Sequence, residues 1–165
     1  MTDNILGKLF EHNNWANEQI ILACSALTDE QLDAPPQSAT EGSIRSTLLH
    51  LLSAQYGYLR LLTLPLEERQ DRVTVQFSEL GESLKGSGEK LLELARDEGK
   101  LPKNRIQTRD EYYVEPWVVM VQIINHATEH REQIKSMLTA LGVTPPSIDG
   151  WDYSEAVNAL VPISK

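Results

Sequence analysis

Cysteine is nearly missing from this chain: Cys24 stands alone, so no intrachain disulfide can form and a zinc site built from cysteine pairs is excluded. Clusters of five or more Lys and Arg are also absent, and the formal net charge is −9. Phosphate backbones and anionic bilayers attract basic patches, so neither nucleic acid nor a membrane is an expected partner. No stretch reaches the roughly 18 apolar residues that cross a bilayer, and Met1-Thr2-Asp3-Asn4 lacks the basic opening of an export signal. These absences predict a cytoplasmic protein.

What remains has globular proportions. A chain of 165 residues with 41 % hydrophobic and 24 % charged side chains fits one domain, residues 1–165, whose core needs no staples. Disordered and fibrous classes drop out, and no internal repeat, low-complexity tract or linker interrupts the sequence.

Apolar residues recur at three- and four-residue steps in four segments. Ile5, Leu9, Ala16, Ile20, Ala23 and Leu27 predict a helix over about 3–26, closed by Thr28-Asp29-Glu30 and then Pro35-Pro36, with Cys24 inside it as a small buried hydrophobe. Ser43 suits an N-cap for a second helix, 44–64, which carries Leu48, Leu51, Leu52, Leu59 and Leu62 before Pro65 stops it. A third, 76–98, holds Phe77, Leu80, Leu84, Leu91 and Leu94. Its Gly81, Gly86 and Gly88 each weaken it by up to about 1 kcal/mol relative to Ala, which predicts a bend, and Gly99 fits the C′ position. Residues 100–115 read as a connection long enough for an extended stretch. Pro116 opens the fourth helix, whose stripe of Met120, Ile123, Ala127, Ile134, Met137 and Leu141 ends at Gly142. A short helix over 152–160 closes the chain. Four amphipathic helices with inward stripes describe an all-α four-helix bundle, an architecture whose core often holds metal sites built from facing helices.

Histidine placement is the chemical signal. His126 and His130, four residues apart, share a face of the fourth helix, and His50 lies at the edge of the apolar face of the second. Three imidazoles in one core each carry a desolvation cost of about 1–3 kcal/mol unless bonded. Hydrogen-bonded core histidines remove that cost, and so does one divalent ion held by all three with a position left for an exogenous ligand. Spacing alone leaves both readings open.

His126-Ala127-Thr128-Glu129-His130 also matches the H-x-x-E-H pattern of inverted zinc peptidases, in which the Glu acts as base. On a helix, however, Glu129 sits about 60° from His126 and about 100° from His130, away from the stripe. It reads more readily as a solvated carboxylate near Arg131 and Glu132. His12 reads as a partly exposed residue, with a hydrogen-bonding place behind the site as the alternative. No Asp, Glu or Lys identifies itself as a general acid or base, so catalytic residues are not assigned.

Three stretches carry a resemblance: Trp15-Ala16-Asn17, then Gly42-Ser43-Ile44 leading to Leu48-Leu49-His50-Leu51, then Asn125-His126 through His130-Arg131-Glu132-Gln133-Ile134. With the following Leu141-Gly142-Val143-Thr144-Pro145-Pro146 and Asp149, they resemble the DinB/YfiT-like family in order and spacing along nearly the whole chain. The resemblance implies an up-down-down-up bundle and one divalent ion, zinc or nickel, held by His50, His126 and His130. It also implies activation of a thiol or water for S-transfer or hydrolysis of a small-molecule substrate, with a low-molecular-weight thiol as cosubstrate, and a homodimer. The alternatives are a metal-containing stress-response or binding module without turnover and, behind it, the peptidase. Two departures, His12 where relatives often carry an aromatic and Glu132 where a Gly is frequent, touch no expected ligand.

Overall fold

The computed structural model describes residues 4–36, 42–69 and 76–163. Among them four long helices, α1 (Ile5–Ser25), α3 (Ile44–Thr63), α4 (Leu80–Arg96) and α5 (Pro116–Ala140), are accompanied by two short ones, α2 (Asp29–Leu32) and α6 (Gly150–Ala156). A two-stranded antiparallel hairpin, β1 (Ile106–Gln107) and β2 (Tyr113–Val114), lies between α4 and α5 and supplies the extended stretch expected there. None of the described helices is long and apolar enough to cross a membrane.

Local chemistry sets the ends. The Asn4 side chain accepts from Gly7 N and that of Ser43 from Ser46 N, each satisfying a donor that a helix start leaves open, and Pro116 occupies the first turn of α5. Gly142, at φ 74°, closes α5 in a Schellman ending: Val143 N donates to Leu138 O and Gly142 N to Thr139 O.

Several boundaries differ from expectation. Asp3, the expected start of the first helix, lies outside the described residues. The third helix begins at Leu80 behind a 3₁₀ turn over Phe77–Glu79, and its end is not the glycine expected: Arg96 is the last helical residue, while Gly99 sits in a further 3₁₀ turn and donates to the Asp97 side chain. Its glycines do not interrupt it. Gly88 marks a close approach instead, since a Cβ there would lie 2.6 Å from Asn14 Oδ1 on α1. The last helix starts two residues early because Asp149 caps it with a reciprocal bond to Asp152, and it ends at Ala156.

Two apolar layers fix the direction of each long helix. One joins Ile20 and Cys24, Leu48 and Leu52, Leu80 and Leu84, and Ile134 and Leu138; the other joins Phe10, Leu59 and Leu62, Leu91 and Leu94, and Val119 and Ile123. Residue numbers therefore rise from the second layer to the first in α1 and α5 and fall in α3 and α4, which is the up-down-down-up order. Each fully buried Leu or Ile contributes about 1.5–3 kcal/mol, so these layers supply the main stabilisation. Cys24 belongs to the first, where burial pushes its thiol up to about 12 and leaves it unreactive.

Candidate metal centre

Between the apolar layers, α3 and α5 bring the three histidines together. His50 Nε2 lies 3.1 Å from His126 Nε2, and His130 Nε2 lies 3.1 Å from the same atom. The ligand atoms of all three lie within 4.8 Å of one another. His130 is 5 % exposed, whereas His50 and His126 are half-buried, so the cluster is deepest at His130 and meets solvent on its other side. The i, i+4 spacing supplies the α5 pair, and the antiparallel run of α3 beside α5 brings His50 to it.

Hydrogen bonding cannot satisfy this triangle. His130 Nδ1 is 2.8 Å from Gln133 Oε1, which only accepts, so the Nδ1 carries the proton and Nε2 keeps its lone pair. For His126 to bond His130, its own Nε2 must donate. It then has no second proton in the ring plane for His50 and no lone pair to accept with, and one 3.1 Å contact stays unbonded. A cation shared by three lone pairs removes the conflict. Nitrogens about 2.0–2.1 Å from one zinc ion, at angles of about 90–110°, stand about 2.8–3.4 Å apart, and both 3.1 Å separations fall in that range. The residues present therefore fit a divalent ion, with neutral nitrogen donors only.

Other expected positions resolve as follows. Glu129 is exposed and outside the cluster, as a solvated carboxylate should be. His12 is half-buried and lies apart from the three: its Nε2 donates to Ile148 O at 2.9 Å, and its ring packs against Trp15 and Tyr153, fastening the C-terminal segment to α1. Arg131 corrects the expectation. It is 3 % exposed and turned inward, away from the solvated face it was grouped with, because Nη1 donates to Asn13 Oδ1 at 2.8 Å and Asn17 Oδ1 at 2.7 Å, and Nη2 to Thr128 Oγ1 at 3.0 Å. Burial pushes its guanidinium down to about 10, which still leaves it charged at neutral pH.

Sequence reasoning also missed Tyr58, whose ring stands edge-on to His126 at 5.8 Å, and the bond from His130 to Gln133. Tyr58 lies eight residues beyond His50 on α3, about two turns along and about 80° around the helix, within the width of an amphipathic face but not in line with His50, so its signal in the sequence is weak.

A family model described as the DinB family matches residues 1–160. The chain belongs to the DinB family. Its structure is similar to the crystal structure of a protein assigned to that family from Exiguobacterium sibiricum 255-15, at 17 % identity and a TM-score of 0.65 over 84 % of this chain and 93 % of that one. That likeness shows the shared fold. No curated protein matches the chain.

Proposed function

We propose that this DinB-family chain is a metal-dependent enzyme in which His50, His126 and His130 hold one divalent ion, zinc or nickel. The carrying observation is the nitrogen triangle that hydrogen bonds alone leave in conflict. An ion there supplies Lewis acidity undiminished by anionic ligands, the property by which water or a thiol becomes a nucleophile near neutral pH. The protein's own part is to orient the rings: Tyr58 packs against His126, and the half-buried side of His50 and His126 admits a small-molecule substrate.

Of the two reactions, thiol transfer is slightly favoured over hydrolysis, on the family resemblance alone. The thiol sulfur forms a bond to an electrophilic carbon, the leaving group departs with its electron pair, and the thiol proton passes to solvent. Metal-loaded protein is assayed with glutathione, bacillithiol or mycothiol and an alkyl electrophile. Thiol consumption above the metal-free control is expected; ester or amide cleavage without any thiol turnover would move the assignment to hydrolysis.

One observation favours a non-catalytic module instead: among the described residues the cluster contains no carboxylate to move a proton. Absence of turnover in both assays, with the ion tightly retained, supports that reading. The exposed position of Glu129 weighs against the peptidase.

A further inference from the structure

Gln133 lies three residues beyond His130 on α5, half-buried, with its Oε1 2.8 Å from His130 Nδ1. We propose that Gln133 is a positioning residue of the metal centre: it accepts the Nδ1 proton of His130 and so holds that ring with its Nε2 lone pair aimed at the point shared with His50 and His126. The proposal rests on the metal-site reading above.

An imidazole can carry its proton on either nitrogen, and with the proton on Nε2 the ring would point an N–H into the triangle and ligate nothing. The group at Nδ1 must therefore accept and not donate, and the amide oxygen does so. His130 is the most buried of the three, so it has least access to water that could take over this task. A surface i, i+3 pair would add only marginally to the stability of the helix. This one instead fixes which atom of His130 faces the other two rings. The amide is also neutral, so it orients the ligand without adding a negative charge beside the ion, unlike a carboxylate at the same place.

The test compares wild type, Gln133→Met and Gln133→Glu, each free of a polyhistidine tag. Co(II) is titrated and followed by its visible spectrum, and zinc affinity is measured by competition with a chelator. Loss of an outer partner of a histidine ligand costs about 10–100-fold in metal affinity. Gln133→Met, close in size but lacking the acceptor, is expected to bind at least tenfold more weakly, with the thermal midpoint of the metal-free protein unchanged. Gln133→Glu, which restores an acceptor, is expected to bind as tightly as wild type or tighter. A loss of less than tenfold in Gln133→Met, or a Gln133→Glu variant as weak as Gln133→Met, overturns the proposal while leaving the metal site standing. Wild type that takes up no ion overturns both.

Discussion

Two polar clusters interrupt the same apolar bundle at about the same height, and they differ in how they are satisfied. Around Arg131, most donors meet an acceptor: the guanidinium bonds Asn13, Asn17 and Thr128, Asn17 Nδ2 reaches Gln55 Oε1 at 3.4 Å, and Gln55 Nε2 donates to Leu84 O and Ser87 Oγ. That chain of bonds crosses all four long helices, and within it only Asn13 Nδ2 is buried without a partner. The histidine cluster spans two helices and leaves a nitrogen contact that no choice of tautomers resolves. Nearly closed hydrogen bonding marks a structural network; rings crowded on one point without enough protons are compatible with a shared cation. On the proposed reading the difference separates architecture from chemistry within one core.

Replacing His130 by Ala should have the largest effect on function, abolishing stoichiometric metal while the helical fold survives on its apolar layers. Metal analysis and circular dichroism of the variant check this, and full occupancy would erase the distinction between the clusters. Arg131→Met should do the reverse. It strands the Asn13 and Asn17 oxygens in the core, at about 1–3 kcal/mol each, so urea unfolding should show a loss of about 2–6 kcal/mol with metal stoichiometry retained. Gln55→Leu should cost less, about 1–3 kcal/mol, because it orphans chiefly Asn17 Nδ2.

The smallest effect is expected at Glu11, outside both clusters. Burial alone would raise its carboxyl, but hydrogen bonds from Arg96, Lys8 and Tyr153 outweigh this and hold it below its usual value. A depressed native value means that the stabilisation is complete above the ordinary carboxylate pKa of about 4.3 and is lost as pH falls through the native one. Glu11→Gln should therefore lower the thermal midpoint slightly near pH 7 and flatten its decline at acid pH, where the variant and the wild type converge.

The two clusters also differ in how far the sequence discloses them. The long helices show by their stripes, whereas the spacing of His126 and His130 and the place of His50 at the edge of an apolar face leave a metal site and a hydrogen-bonded core both open, and the family resemblance is what joins the three. Arg131 and its amides do not show, because a charged or amide side chain on a helix is ordinarily solvated. Their signal is phase: Asn13 and Asn17 continue the face of Phe10, Ile20 and Cys24, and Arg131 lies between Ala127 and Ile134 at steps of four and three. The short α2 was illegible for another reason. At four residues it has no periodicity to detect, and only the Thr28–Gln31 capping box announces it.

The central claim is that three imidazoles from α3 and α5 converge on one ion. X-ray absorption at the metal edge of tag-free protein loaded with zinc tests it most directly. The account predicts one ion per chain with three imidazole nitrogens at about 2.0–2.1 Å; fewer than three imidazoles, a thiolate ligand, or no retained ion would contradict it.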